Sequence, residues 1–247
     1  MPQLRTDVIA GHQLTHSMLV EMNTLRLTLM RLKPTTDPKI AFEELSNFCR
    51  KCEYVFLLRN NAHKLVGMFV ARIQRSSFNG IRFVILHGDF GFVLPEYRGH
   101  PLYIIGKLRV FLRFWLQSRG AIVLLGGIGY PAGLLAIGHL KPMYLSCDRD
   151  LPPVIQAAFE LLIKEGAGTR WDWTRGRKDM PTIPPEMPPG WHERIQREAF
   201  YGRYIAHCPD WSSGYALASL APIRTLPALL SLGRATLRRR QRRATSG

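Results

Sequence analysis

Residues Ile81 to Phe92 form an apolar run, Val93-Leu-Pro-Glu-Tyr-Arg-Gly-His-Pro-Leu-Tyr103 follows, and an apolar and basic segment continues from Leu102 to Gly120. No other feature constrains the chain as much. The order reads as a strand, a tight glycine turn and a helix. Such a junction directs backbone N–H groups and the positive end of a helix outward, towards an anion.

The flanks extend the pattern. Met18, Leu19, Met22, Leu25, Leu29 and Leu32 recur at helical spacing over His12 to Leu32, and Pro34 stops that helix. Asp37 followed by Pro38 predicts an N-cap and first turn for a second helix reaching about Cys52. Strands are expected over Tyr54–Arg59 and Leu65–Ile73, joined at Asn60-Asn61, with a turn over Ser76–Gly80 and a long strand over Ile81–Val93. A helix over Pro101–Gln117, closed by Gly120, leads to a strand over Ala121–Ile128 and a short helix after Pro131. The stretch Ala121 to Leu140 is long enough to suggest a membrane span. Gly126, Gly127, Gly129, Pro131, Gly133 and Gly138 favour a buried strand, a turn and a short helix instead. The residues alone give an α/β fold with a mixed sheet.

Beyond this, Asp150, Pro152 and Pro153 open a helix with Ile155, Ala158, Phe159 and Leu162 on one face, and Gly166 ends it. Arg170 to Pro189 is rich in Trp, Arg and Pro. Its prolines at 181, 184, 185, 188 and 189 exclude helix and favour an extended loop. A further helix is expected over Trp191–Ile205. From Pro222 the tail carries Leu226, Leu229, Leu230 and Leu237 among basic residues. The expected organisation is residues 1–165 as one domain, 166–221 as an extension packed on it, and 222–247 as a basic amphipathic tail.

At 247 residues and 46% hydrophobic content the chain can bury a substantial core. Its four cysteines are too few for a disulfide scaffold, and Cys49 with Cys52 is a lone Cys-x-x-Cys without the second pair a structural zinc wants. No metal is expected, and ordinary reduced thiols suit a cytoplasmic setting. No basic-then-apolar leader opens the sequence. The net charge of +16 favours anionic partners: phosphorylated cofactors, nucleic acid or anionic lipid.

The stretch from Val93 resembles the acyl-CoA-binding segment of the GCN5-related N-acetyltransferase (GNAT) superfamily, Val-x-Pro-x-Tyr-Arg-Gly-x-Gly-x-Gly/Ala. Pro95, Glu96 and Tyr97 match its approach, and Arg98 with Gly99 its Arg-Gly pair. The resemblance spans roughly residues 42–145. It implies a GNAT-like, mostly antiparallel central sheet flanked by helices, with the α-helical and Pro-rich C-terminal segment added to it. It also implies an acyl thioester as co-substrate, on coenzyme A or an acyl carrier protein, and an amine acceptor. Phe92, Val93 and Leu94 would then bind the pantetheine arm. Arg98, Gly99, His100 and the amides of Leu102 and Tyr103 would hold phosphate. Pro101 and Tyr103 stand where the pattern has glycines. Proline lacks an N–H, and tyrosine hinders close backbone approach.

His87 and Asp89 lie two apart on the strand entering the motif, so alternation places both on one face with Phe83 and Ile85. A histidine is suited to take a proton from an ammonium. In the superfamily a His or carboxylate on this strand often serves as general base. The helix tyrosine that commonly acts as general acid is replaced by Ile137, so that acid is either missing or supplied from elsewhere, such as Tyr144 or His139. Trp171, Trp173, Arg170, Arg175 and Arg177 mix aromatics with cations, but no nucleic-acid signature accompanies them. Tryptophan burial with solvated arginines is the favoured reading. The tail could dock on an anionic membrane, leucines inward and arginines against headgroups. Two functions therefore stand open: an N-acyltransferase, with a medium or long acyl chain within its scope, and a catalytically silent GNAT-like fold that binds a membrane or partner.

Overall fold

The structure is a computed structural model. It describes residues 4–98, 100–118, 120–131, 140, 142–166, 170–184, 193, 196 and 199–223, and within them all side chains except those of Asp89, Phe90 and Ala199. The sheet is mixed and mostly antiparallel, as expected, with helices on both faces.

Helix α1 (His16–Leu29) starts where the Thr15 side chain accepts from the Met18 amide, and it buries Leu19, Met22 and Leu25. Asp37 caps α2 (Pro38–Arg50) by accepting from Lys39 N, with Pro38 in the first turn and Ala41, Leu45 and Cys49 facing inward. Strands β1 (Arg5–Ile9), β3 (Tyr54–Arg59), β4 (Leu65–Phe78), β5 (Ile81–Val93) and β6 (Ile122–Gly129) follow one another across the main sheet. Strand β4 outruns the expected turn at Ser76. It continues to Phe78, and the chain reverses through Asn79 and Gly80 at φ 47° and 79°. Two consecutive left-handed residues make the tight hairpin that suits twisted strands.

Helix α3 (Pro101–Gln117) carries the chain from β5 to β6, which therefore pair in parallel. Sequence pattern did not announce β11 (Tyr215–Pro222), which pairs with β6 on its other side. Beyond β11 lie β9 (Arg177–Asp179) and β8 (Trp171–Asp172), while the short β7 (Tyr144–Leu145) also pairs with β11. The 166–221 segment thus joins the rest by strand pairing within one sheet. A separate ribbon pairs β2 (Arg31–Leu32) with β10 (Thr182–Ile183).

One face of the sheet packs on α1, α2, α4 (Pro153–Gly166) and α5 (Ala199–His207). The other face packs on α3. Strand β5 alternates between them: Phe83 and Ile85 face α4, Val84 and Leu86 face α3. Of the helix expected over 191–205, the described part is α5. The helix expected after Pro131, with Ile137 and His139, lies outside the described residues, as does the tail from 224. No described helix is long and apolar enough to cross a membrane.

Candidate active site

Strands β5 and β6 pair from Phe83↔Ile122 to His87↔Gly126 and then part. Both continue, β5 to Val93 and β6 to Gly129, but among the described residues β5 now pairs only with β4 and β6 only with β11. A bulge helps to turn β5 away. Val70 opposes Phe90 while Arg72 opposes His87, so β5 uses three steps where β4 uses two. The extra residue bends and twists a strand. It also breaks the alternation that was expected to set His87 and Asp89 on one face. Phe92 and not Gly91 faces the α1 side, because Gly91 lies against Tyr103 and Lys107 of α3. The side chain of Asp89 is outside the described residues.

His87 is the last paired residue before the parting and is 1% exposed. Its neighbour across the strand pair is Gly126, where a Cβ would lie 2.0 Å from the Ser219 carbonyl oxygen, so β11 leaves room for no other residue. His87 Nε2 meets Gln74 Oε1, and Gln74 Nε2 donates to Glu165 Oε2 at 2.5 Å. Arg72 pairs with the same carboxylate oxygen. The carboxylate can only accept, so the Gln74 NH2 must face it and the Gln74 carbonyl must face the imidazole. Nε2 therefore carries the proton, and in the neutral ring the basic lone pair is on Nδ1. Gln74 and Glu165 were not legible as partners: they come from β4 and from α4, and no local pattern joins them.

Past His87 no described strand pairs with the β6 side of β5. Leu94 N donates to Val66 O, and hydrogen-bond direction alternates along a strand. Phe92 and Leu94 therefore spend their amides on β4, while Gly91 and Val93 turn theirs to the open edge. Of Phe92, Val93 and Leu94, expected to meet a pantetheine arm, Val93 alone turns its amide to that edge, with Gly91 two residues before it. Arg98 folds back, its Nε donating to Val93 O at 3.4 Å.

The start of α3 differs from expectation. His100 caps the helix, its Nδ1 accepting from Leu102 N at 3.3 Å. Tyr103 N and Ile104 N both donate to His100 O, and His100 N donates to Tyr97 O. The amides of Leu102 and Tyr103, expected to be open to phosphate, are occupied within the chain. Gly99 is outside the described residues. The Tyr103 ring turns inward onto Phe56, and its hydroxyl donates to Met68 O at 3.1 Å. Burial raises that phenol's pKa. One turn on, Lys107 Nζ lies 4.7 Å from the ring centres of both Phe69 and Tyr103. Burial lowers its pKa to about 8.

Tyr144 is not brought to His87. It sits on β7 opposite Leu220, which opposes Gly126, which opposes His87. Three strand spacings put it about 14 Å away along the row. It lines a cavity of 610 Å³ with Trp115, Ile122, Ile155 and Ile223, at the end of β6 away from the parting. In the Trp/Arg segment Trp171 is buried. Arg170 pairs with Glu44, and Arg177 with Asp210. Cys49 and Cys52 pack under α1, where burial pushes the Cys49 thiol up to about 12. Among the described residues no group of three or more His, Cys, Asp or Glu could hold a metal.

No family model matches the chain, and no curated protein matches its sequence. Solved acetyltransferase structures are similar to it over somewhat more than half its length. A probable N-acyltransferase from Enterococcus faecalis V583 is 16% identical at a TM-score of 0.41, over 58% of this chain and 33% of that one. A GCN5-related N-acetyltransferase from Kribbella flavida is 13% identical at 0.38, over 59% and 34%. The aminoglycoside N-acetyltransferase AAC(6')-Iy, solved with CoA, is 16% identical at 0.36, over 56% and 84%. The chain thus spans about a third of the length of the first two. At such identities and scores the function has to be argued from this chain's own strands and side chains.

Proposed function

We propose that this chain moves an acyl group from a thioester to an amine. The parting of β5 and β6 just past His87 carries the reading. It leaves a strand edge with backbone donors at Gly91 and Val93 and an acceptor at Gly91, and an extended pantetheine arm can pair with such an edge as a further strand would. His87 would serve as general base for the incoming ammonium, directly or through one water, while Gln74 and Glu165 hold the ring. The amine then attacks the thioester carbonyl, the C–S bond breaks, and the thiolate leaves with a proton. Arg98 and His100 supply the side-chain part of a phosphate grip. The amide part requires His100 to release Leu102 N. Coenzyme A or an acyl carrier protein would carry the acyl group.

The test is a thermal melt with acetyl-, octanoyl- and palmitoyl-CoA and with an acylated carrier protein. A ligand at about a hundredfold excess over its Kd should raise Tm by roughly 5–10 °C. No rise with any of the four removes the reading.

The occupied amides at the start of α3 favour a second reading, a catalytically silent fold that docks on a partner or an anionic membrane through residues 222–247. Sedimentation with anionic liposomes, before and after deletion of that tail, separates the two. Binding lost on deletion, with no thermal response to thioesters, would select the silent module.

A further inference from the structure

Position 107 lies on the inward stripe of α3, one turn from Tyr103 and from Phe111, which are both buried. An aliphatic residue is the ordinary occupant of such a place, since an unpaired cation is costly there. The chain has a lysine. No carboxylate among the described residues lies within ion-pair distance of it, and its near neighbours are two ring faces and a strand backbone. The strand is β5, at the residue whose amide faces the parting: a Cβ on Gly91 would come within 3.1 Å of Lys107 Nζ. Gly88, three residues earlier, also presents no side chain on the α3 face. Among the described residues no side chain accepts from this amine, which stands beside the edge of β5 past the parting.

We propose that Lys107 is a self-acylation site, its ε-amine attacking the carbonyl carbon of a thioester that lies along the open edge of β5. The proposal rests on the thioester reading given above. The C–N bond forms as the C–S bond breaks. The product is an ε-amide and a free thiol, the thiolate taking the proton that the amine loses. Nothing is oxidised or reduced. The reactive form is the neutral amine, and burial makes it accessible near physiological pH, since the pKa is lowered to about 8. Facing Lys107 are Tyr103 from its own helix, kept protonated by burial, Phe69 from β4 and Gly91 from β5. The product is uncharged, so acylation removes the one unfavourable feature of the site.

The full-length chain is incubated with acetyl-CoA between pH 7 and 9, and acetylated lysines are located by peptide mass mapping. Lys107 should be modified at least ~10-fold faster than the exposed Lys39, Lys51 and Lys64, because a larger fraction of it is neutral. Its rate should rise with a midpoint near pH 8. The Lys107→Arg chain, which keeps the charge and the stem, should lose that modification and no other. A thermal response to acetyl-CoA without preferential labelling of Lys107 overturns self-acylation and leaves the transferase reading standing. Absence of both the thermal response and the labelling overturns both.

Discussion

Two ionisable side chains lie on opposite faces of β5 in opposite circumstances. His87, on the α4 side, is held by Gln74, which is held by Glu165, which also pairs with Arg72. Lys107, on the α3 side, has ring faces and a glycine backbone around it and no carboxylate among the described residues. Three side chains from two other elements fix the histidine's tautomer, whereas among the described residues no partner fixes the lysine's proton. A buried polar group that is fully partnered defines a geometry. One left without a partner keeps the desolvation cost and stays ready for a ligand or a reaction. The parting of the strands lies between them, so the two faces of one cleft are chemically unlike.

The comparison breaks first at His87. His87→Ala should lower acyl transfer, read as thiol release from acyl-CoA with a panel of primary amines, by about 10²- to 10⁴-fold. The variant also leaves the Gln74 carbonyl without its partner, at a cost of about 1–3 kcal/mol, so the rate must be taken per folded molecule. Gln74→Leu tests the relay with the imidazole in place. It should cost about tenfold or more in kcat with KM little changed, since the ring loses its tautomer and its hold. If both variants melt earlier while folded protein turns over normally, His87 is a structural histidine and the asymmetry of the cleft has no catalytic meaning.

Most of what sets up this cleft was legible along the chain, and the exceptions share one cause. The strands Tyr54–Arg59 and Ile81–Val93, the helix Pro101–Gln117 and the Asp37 cap follow from apolar spacing and capping residues within a few positions of one another. What failed depended on distant partners. Strand β11, Tyr-Ala-Leu-Ala-Ser-Leu-Ala-Pro, has no alternation because it is covered on both faces, and its small residues fit beside Gly126. The bulge after His87 exists only in the register of β5 against β4. Leu102 N was expected to face an anion, yet the capping nitrogen comes from His100, a residue seldom read as a cap. Lys107 could have been noticed as a charge on an apolar helix stripe. That no described carboxylate reaches it could not, because that depends on what β4 and β5 bring to it.

A smaller effect sharpens the lysine side. The folded-state pKa of Lys107 lies near 8, below the 10.5 of the free side chain. Between those values the unfolded chain holds a proton that the folded chain has released. Stability therefore rises with pH through this window, and the penalty is fully present below it. Lys107→Met keeps the stem and removes the ammonium. The variant should be more stable than the parent by about 1–2 kcal/mol at pH 7, a figure reduced from the full shift because the residue is only half-buried and two rings face its charge. The gap should close as pH rises from 8 and vanish by about 10.5. Denaturant midpoints at pH 7 and pH 10 decide it. An equal gap at both would mean that the ammonium is not desolvated.

The smallest expected change in stability is at Gly91, where the two faces of the cleft can be separated most cleanly. A methyl group here would lie 3.0 Å from Tyr103 Oη and 3.1 Å from Lys107 Nζ. Contacts that close require a few tenths of an ångström of adjustment, and the lysine end is flexible. The Tyr103 hydroxyl is less free to move, since it donates to Met68 O. Gly91→Ala should therefore push the ammonium aside and leave the tyrosine in place, at a cost of roughly 1 kcal/mol or less in the denaturant midpoint. His87 lies on the other face of β5, so its hydrogen bond to Gln74 should stay in place. Reactivity at Lys107 should fall as its amine is moved off the strand edge. Trace acetylation with a small reagent measures that fall without needing a bound thioester. If Lys107 labels as fast in Gly91→Ala as in the parent, contact with the strand does not govern its reactivity. The contrast between the two faces would then reduce to burial alone.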